Sequence, residues 1–311
     1  MKFFITGANG FIGSNLIRNI INDGNRVLAA SNNSSEKVLE HKHIEKILSP
    51  INQISKFEKK ILDFDPDVVL HLAAQSSPSI SMISPINTLE TNIIGSIELF
   101  KILNKISKNP KIILFSSSAV YSETQQKKII NENYPTNPVS VYGMSKLIME
   151  EIGMNYFEKH KMNIICVRPF FLIGPEKEDD FCSAIAKSVT KIEKGINKNI
   201  EVGNLNLVKD FLDIEDGISA ILKIVSFGRP GEIYNICSGK GHSLKEIFNT
   251  FQKYSKKNLS PVVNEQLIKD IDSKFRIGSS KKIQSLGWKQ KINIEFSIEK
   301  IIDFWRKKAE K

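Results

Sequence analysis

The chain has 311 residues, 41% of them hydrophobic and 25% charged, an ordinary globular composition with room for one large α/β unit and a smaller lobe. No apolar run approaches the roughly 20 residues of a membrane span, so we expect no membrane partner. The net charge of +10 predicts a solvated basic surface or a field that attracts anionic substrates. Nucleic acid is not expected, because no nucleic-acid-binding module accompanies the charge.

Strand-like and helix-like stretches alternate over the first half of the chain. Their apolar periodicities predict strands over residues 2–6, 26–30, 67–73, 111–116 and 163–168. Helices are predicted over residues 11–23, 87–105 and 140–160. Alternation of this kind requires right-handed crossovers, so the sequence predicts an α/β fold with a doubly wound, parallel Rossmann sheet.

The second half is less regular. Helices are predicted over residues 176–198 and 244–256, and short strands over residues 209–214 and 233–236. We expect the sheet to finish here and the intervening segments to build a smaller C-terminal α/β lobe.

The first strand runs into a glycine-rich turn, Thr6-Gly7-Ala8-Asn9-Gly10-Phe11-Ile12-Gly13. Gly7 permits a tight turn, Gly10 lets the backbone approach a pyrophosphate, and Gly13 lets the following helix pack on the sheet. The helix N-terminus offers free N–H groups to phosphates. A purely structural turn is the alternative, but the position between strand and helix favours a dinucleotide. The predicted cofactor contacts from this turn are Gly7, Asn9, Gly10, Phe11, Ile12 and Gly13.

The end of the second strand bears on the choice of cofactor. Folds that prefer NAD usually carry an acid there to hold the ribose hydroxyls, and this chain has Ser31 followed by Asn32. Neither residue would repel a ribose phosphate, and Lys37 could attract one. We therefore predict that Ser31 and Asn32 contact the cofactor, with NADP(H) favoured and NAD(H) possible.

Tyr142 and Lys146 form a YxxxK pair on a predicted helix. Residues four apart lie on one helix face, and a nearby ammonium would lower the pKa of the phenol. The tyrosine could then exchange a proton with a sugar hydroxyl. A surface tyrosine beside a surface lysine is the alternative, but the predicted strand that ends at Ser116-Ser117-Ser118 could bring a hydroxyl to the phenol.

Three cysteines, Cys166, Cys182 and Cys237, are widely spaced. Their odd number and the lack of a CxxC pair argue against a disulfide framework or a zinc site, and we predict no metal. The apolar start of the chain breaks into glycines too soon for a signal peptide. We expect buried free thiols in a reducing, cytoplasmic compartment.

Taken in order, the motifs resemble the NAD-dependent epimerase/dehydratase family of extended short-chain dehydrogenases. They are TGANGFIG, HLAAQ (71–75), TNxxG (91–95), SSSAVY, NPxSxYGxSK (137–146) and RPFxxIGP (168–175). The resemblance covers nearly the whole chain and implies a catalytic set of Ser117, Tyr142 and Lys146. It also implies a homodimer built from the two long helices. The remaining residues that we expect at the cofactor are Leu72, Ala73, Ala74, Gln75, Asn92 and Pro169, besides Tyr142 and Lys146.

With this fold the sequence predicts two domains. Residues 1–169 and about 208–240 would form the dinucleotide-binding Rossmann domain. Residues of about 170–207 and 241–311 would form the substrate-binding lobe. His71 is expected to be a core residue at a strand end, and Tyr121 to serve packing.

Within the family, the second half is most similar to the GDP-4-keto-6-deoxy-mannose reductase branch, through VGNL (202–205), KDFLDIED (209–216) and YNICSG (234–239). Dehydratases of the family carry two acids directly after the catalytic Ser or Thr, and fucose synthases carry a Cys at the second of these positions. Here Ser118 and Ala119 stand there. The resemblance thus leaves reduction of a carbon-4 ketone or epimerisation at carbon 4, and a non-catalytic NAD(P)-binding regulator as a third alternative.

The implied partner is a nucleotide-diphosphate sugar, used in cell-surface polysaccharide biosynthesis. Two residues depart from the family pattern, which usually has Asn at Phe171 and Arg at Lys209. Lysine keeps the charge but loses the bidentate fork. The predicted substrate-binding residues are Ser118, Phe171, Lys209 and Arg276.

Overall fold

The structure is a computed structural model that describes residues 1–32, 40–124, 127–268 and 273–310. The strands in these ranges are β1 (Lys2–Thr6), β2 (Arg26–Ser31), β3 (Ile44–Leu48), β4 (Val68–His71), β5 (Lys111–Phe115), β6 (Ile129–Ile130), β7 (Ile164–Pro169), β8 (Phe171–Ile173), β9 (Ile200–Val202), β10 (Val208–Lys209), β11 (Phe211–Asp213), β12 (Ile233–Ile236), β13 (His242–Ser243), β14 (Pro261–Val263) and β15 (Phe275–Gly278). The α-helices are α1 (Phe11–Asn22), α2 (Glu58–Phe64), α3 (Pro78–Ile83), α4 (Pro85–Leu89), α5 (Gly95–Leu103), α6 (Val141–His160), α7 (Phe181–Glu193), α8 (Ile214–Phe227), α9 (Leu244–Tyr254), α10 (Lys281–Gln284) and α11 (Ile294–Glu310). Short 3₁₀ turns cover Ile51–Phe57, Ser118–Val120 and Glu265–Leu267, and a π-helical segment covers Glu90–Ile94.

Seven strands form one parallel sheet in the order β12-β7-β5-β4-β1-β2-β3. The chain builds outward from β1 through β2 and β3, then returns to the other side of β1 and continues from β4. This reversal creates a topological switch point between β1 and β4, where an open crevice forms at the carboxyl ends of the strands. The predicted doubly wound Rossmann sheet is therefore confirmed.

Successive side chains of a strand point to opposite faces of the sheet, and here the side chains on both faces are apolar. Helices therefore cover both faces. Phe3 and Ile5 of β1 face one hydrophobic core, which α1 and α8 complete with Leu16 and Ile221. Phe4, on the opposite face of the same strand, belongs to the core that α5 and α6 complete. No helix in the described ranges is long and apolar enough to cross a bilayer.

The second half supplies the predicted smaller α/β lobe. The lobe contains two strand pairs, β11 with β8 and β14 with β9, and a four-stranded sheet in the order β13-β10-β15-β6, whose strand β6 comes from the first half of the chain. Helices α7, α9 and α11 enclose its core, which includes Val189, Phe251 and Ile301. Because β12 joins the large sheet while β10 joins the small one, the predicted assignment of residues 208–240 to the cofactor domain stays a prediction.

Several predicted elements have different bounds in the structure. The helix expected over residues 87–105 is interrupted by the π-helical segment, and the one expected over residues 176–198 begins only at Phe181, where the Asp180 side chain accepts a hydrogen bond from Ser183 N. The strand expected over residues 209–214 is broken at Asp210. This fully buried carboxylate accepts hydrogen bonds of 2.6–3.1 Å from Ser238, Gly239 and Gly278. The break therefore has a tertiary cause.

The three cysteines are free and buried, as the sequence predicts. Burial raises the pKa of each thiol, which favours the neutral form.

Candidate active site

The glycine-rich turn lies at the switch point of the large sheet. Gly7 has a φ of +69°, and a Cβ at this residue would lie 2.8 Å from Ala73 N. A Cβ at Gly13 would lie 2.4 Å from Gly7 O. Only glycine therefore permits the turn, the start of α1 and the segment after β4 to meet this closely. Helix α1 begins after Gly10 with no side-chain cap and no acid in its first turn, so its first N–H groups fit a phosphate.

Asn9 of this turn reaches the end of β2. Its Nδ2 donates a 3.1 Å hydrogen bond to Ser31 Oγ, and Ser31 is 9% exposed. Asn32 is exposed beside it. Lys37, which the sequence analysis placed near the ribose, lies outside the described residues.

The segment after β4 is tied to the Tyr142 helix through Asn92. This side chain is fully buried in the π-helical segment. Its Oδ1 accepts from Gln75 N at 2.8 Å, and its Nδ2 donates to Gln75 O at 3.0 Å and to Ser145 Oγ at 2.8 Å. The structure thus brings two predicted cofactor residues, Gln75 and Asn92, against the helix α6.

A buried hydrogen-bond chain runs beneath the crevice, and its direction can be assigned. Ser96 Oγ donates to Asn92 O at 2.6 Å, so its contact of 2.8 Å with His71 Nε2 requires a proton on that nitrogen. His71 Nδ1 then accepts from Thr6 Oγ1 at 2.8 Å, and Thr6 Oγ1 accepts from Ala73 N at 3.1 Å. Burial and the charge of Lys146 lower the pKa of His71 to about 3. His71 is therefore a neutral core residue.

Ser117 and Tyr142 meet at the carboxyl end of β5. Ser117 Oγ accepts from Ala119 N at 3.1 Å and caps the turn Ser118–Val120. The Ser117 side chain lies close enough to the phenol of Tyr142 to lower its pKa. A Cβ at Gly143 would lie 2.6 Å from Ala119 O, so α6 and this turn touch through backbone atoms.

Sequence reasoning missed Ser81, which fixes the start of the Tyr142 helix from α3. Its hydroxyl accepts from Tyr142 N at 3.0 Å and donates to Pro78 O at 2.6 Å. Its role could not be read from spacing, because Ser81 lies 61 residues before Tyr142 in the chain.

Lys146 lies one helical turn beyond Tyr142 and is 3% exposed. Its Nζ donates to Phe115 O at 2.7 Å. Burial lowers the pKa of Lys146 to about 8, while the charge of Glu150 raises it. The expected lowering of the pKa of Tyr142 is wrong: burial raises the pKa of Tyr142, and the nearby Ser117 side chain lowers it less.

Ser116, directly before Ser117, has a buried hydroxyl with no hydrogen-bond partner among the described residues. Buried polar groups rarely stay unpaired, so this hydroxyl at the carboxyl end of β5 fits a bound group in the crevice. Pro169 ends β7 on the same edge of the sheet and pairs with Ile236. The sequence placed Ser116 at the end of the predicted strand 111–116 but gave it no role of its own.

The predicted substrate residues fall into two groups. Lys209 Nζ donates to Ser273 O at 2.8 Å and lies 5.3 Å from the centre of the Phe171 ring. Arg276 Nη1 donates to Ser118 O at 2.7 Å. Lys209 and Arg276 are register partners on adjacent parallel strands and are each 6% exposed.

Comparison with known proteins places this architecture in context. The family model described as GDP-mannose 4,6 dehydratase matches residues 4–301. The chain is 26% identical over 312 residues to a GDP-6-deoxy-D-mannose reductase of Pseudomonas aeruginosa, with 99% of this chain and 98% of the relative covered.

Two solved structures share the fold. One is RMD from Pseudomonas aeruginosa complexed with NADPH, with a TM-score of 0.83, 24% identity, and 99% of each chain covered. The other is a UDP-glucose 4-epimerase of Thermotoga maritima with UDP-glucose, with a TM-score of 0.90, 24% identity, and 99% of this chain and all of the other covered.

Proposed function

This chain belongs to the GDP-mannose 4,6-dehydratase family of extended short-chain dehydrogenases/reductases, and we propose that it is an NAD(P)-dependent reductase of the carbon-4 ketone in nucleotide-linked 4-keto-6-deoxy sugars. The observation that carries this proposal is the Ser117 side chain beside the phenol of Tyr142, which lies one helical turn before Lys146, with Ser118 and Ala119 following the serine. Neither of these two residues can remove a proton from a sugar carbon. The site therefore has the groups for proton transfer to oxygen without those for dehydration.

Each residue has a distinct part in the proposed reaction. A reduced nicotinamide, when bound, supplies the hydride that carbon 4 gains. Tyr142 donates its phenolic proton to the ketone oxygen, so that the ketone becomes a secondary alcohol and the cofactor is oxidised. Ser117 holds the same oxygen by a hydrogen bond. Charged Lys146 stabilises the phenolate that remains until a solvent proton replaces the one lost.

The crevice fits a dinucleotide. Three features lie along the carboxyl ends of β1, β4 and β5. They are the glycine turn, the start of α1 without a side-chain cap, and the Ser116 hydroxyl without a hydrogen-bond partner among the described residues. We assign residues 1–169 and about 208–240 to cofactor binding, and the rest to the substrate lobe.

We further assign NADP(H) as the favoured cofactor. Ser31 stands where an acid would repel a ribose phosphate, and Asn9 and Asn32 add side-chain amides beside it. The structural relative from Pseudomonas aeruginosa was solved with NADPH.

Substrate binding is assigned to Lys209, with Phe171 beneath its ammonium. A lysine meets a diphosphate as a point charge, and its burial makes that charge more effective.

A carbon-4 epimerase is the second candidate, because a protein of that activity superposes with a TM-score of 0.90 and needs the same three residues. The test is to incubate the purified protein with NADPH and with 4-keto-6-deoxy sugars linked to GDP, UDP or dTDP. A reductase oxidises one NADPH per alcohol formed. An epimerase instead interconverts the 4-hydroxy nucleotide sugars with no net change in cofactor, and a regulator does neither.

We also propose a homodimer. Large apolar side chains are exposed along α3, α4, the π-helical segment and α6, including Ile83 at 85% and Ile86 at 72% exposure. Helices α3 and α4 pack beside α6. A second copy of the chain would cover this surface, because clustered exposed apolar side chains usually mark a contact surface.

A further inference from the structure

A cation from the small lobe holds the turn that carries Ser117. Arg276 Nη1 donates to Ser118 O at 2.7 Å and to Tyr121 O at 3.2 Å. Its Nη2 is paired with the Glu123 carboxylate. Ser118 O is the first carbonyl of the turn, Tyr121 is the residue that directly follows it, and Tyr121 N also donates to Ser118 O at 3.3 Å. The guanidinium therefore binds the end of the turn opposite to the Ser117 cap.

The strands involved belong to different sheets. Arg276 lies on β15, between β10 and β6 of the four-stranded sheet. The turn extends from β5 of the seven-stranded sheet. Arg276 thus connects the substrate lobe to the loop that presents the catalytic serine.

The Arg276 guanidinium is buried against these partners. Arg276 is 6% exposed, and the planar fork of its donors is directed at two carbonyls and one carboxylate. Lys209, its register partner, instead donates to Ser273 O. The two buried cations are therefore neighbours with different partners, one holding the serine turn and the other lying against Phe171.

The turn is restrained from three directions. Ser117 Oγ accepts from Ala119 N, α6 meets the turn at Gly143, and Arg276 binds Ser118 O and Tyr121 O. Loss of the guanidinium would leave Ser118 O and Tyr121 O buried with fewer donors, and the turn would shift to regain them. Ser117 lies at the start of that turn, so its hydroxyl would move relative to Tyr142.

We propose that Arg276 is a positioning residue, which sets the Ser117 hydroxyl against Tyr142 and the ketone oxygen without touching the substrate. The inference rests on the proposed function for its kinetic consequence. Its structural consequence, the place of the Ser117 side chain beside the Tyr142 phenol, can be measured without turnover.

The test compares four variants of the NADPH-bound protein: Arg276→Ala, Arg276→Lys, Glu123→Gln and Lys209→Ala. For each, kcat is measured on the keto sugar, and the Kd of the nucleoside diphosphate is measured by calorimetry. The pKa of Tyr142 is followed by NMR of ¹³C-labelled tyrosine, with Tyr142→Phe assigning the signal. A circular dichroism spectrum and Tm confirm that each variant is folded.

We expect Arg276→Ala to lower kcat by about 10²-fold, the usual effect of a misplacement near 1 Å, with the nucleotide Kd unchanged. The pKa of Tyr142 should rise, because the Ser117 side chain that lowers it would move away. Arg276→Lys should have a smaller effect of the same kind and remains informative if the alanine variant does not fold. Glu123→Gln keeps both carbonyl contacts and should change little, whereas Lys209→Ala should raise the Kd alone.

The proposal is overturned if the folded Arg276 variants weaken nucleotide binding while kcat is kept, because Arg276 would then bind the substrate. It is also overturned if neither variant changes the pKa of Tyr142. If the wild-type protein turns over no keto sugar, the proposed function fails, and the Tyr142 titration still decides the role of Arg276.

Discussion

Asn9 Nδ2 donates to Ser31 Oγ at 3.1 Å, which joins the glycine turn to the end of β2. In dinucleotide folds these two places lie beside the pyrophosphate and the adenosine ribose. The residue that we propose to select the cofactor is therefore held by the turn that we propose to bind it.

Ser31→Asp should move cofactor preference from NADPH towards NADH. The carboxylate would repel a ribose phosphate and would accept hydrogen bonds from ribose hydroxyls. Calorimetric titration with both cofactors measures the change, and Ser31→Ala serves as the control that removes the hydroxyl without adding charge. A wild-type protein that already binds NADH more tightly would contradict the assignment.

Tyr142→Phe should lower kcat by roughly two to four orders of magnitude, the usual contribution of a positioned general acid, and leave NADPH affinity nearly intact. Tyr156→Phe is the matched control, since it makes the same change on the same helix, where the ring packs against Phe100. Steady-state kinetics and calorimetry give both quantities. Wild-type turnover in Tyr142→Phe would refute the role of the phenol.

The rate of ketone reduction should fall as pH rises through about 8. Burial lowers the pKa of Lys146 to about this value, and above it the ammonium that stabilises the Tyr142 phenolate is lost. In Lys146→Arg the charge persists to much higher pH, so the alkaline decline should disappear even if the rate is lower. A wild-type pH profile that stays flat to pH 10 would show that another group carries the charge.

His71 should stay neutral, with its proton on Nε2, from pH 5 to 8. The directions of the Ser96 and Thr6 hydrogen bonds require this tautomer, and ¹⁵N chemical shifts of the ring, assigned by their loss in His71→Gln, report it. Because its folded pKa of about 3 lies below the unfolded value of 6.5, the unfolded chain binds the extra proton. Stability should fall as pH drops from 6.5 towards 3, and less steeply in His71→Gln. A ring that titrates near pH 6.5 would contradict the assignment.

Ile86→Glu and Ile148→Glu should convert a dimer into a monomer, because each places a charge on the exposed apolar surface of α4 and α6. Phe227→Glu is the matched control, since Phe227 is 57% exposed on α8. Light scattering at micromolar concentration measures the mass. A wild-type protein that is monomeric would contradict the proposed homodimer.

Local pattern predicted the first half of the fold well. Strands such as β1 and β5 are continuous apolar runs, and α1 ends near Gly24, whose φ is +73°. Strand β3 was missed because Ile44–Leu48 has two adjacent charged residues, Glu45 and Lys46, and lies at the edge of the sheet. The break at Asp210 could not be predicted, because its partners lie 28 to 68 residues further along the chain.

Some residues of the candidate site could likewise be named from the sequence, and others could not. Ser117, Tyr142 and Lys146 could be named from motifs, since helical spacing and strand ends determine their places. The roles of Ser81 and Arg276 depend on tertiary contacts with backbone atoms 61 and 158 residues away. The raised pKa of Tyr142 likewise follows from burial, which the YxxxK spacing does not reveal.

The close approach of Gly143 to Ala119 has a consequence for how this site can vary. Where two elements meet through side chains, a rotamer change can absorb a substitution nearby. Here backbone meets backbone, and neither side has an atom to rotate away. The separation of the main chains that carry the serine and the tyrosine is thus limited by this contact, so side-chain changes away from Arg276 can alter which substrate enters while that separation is kept.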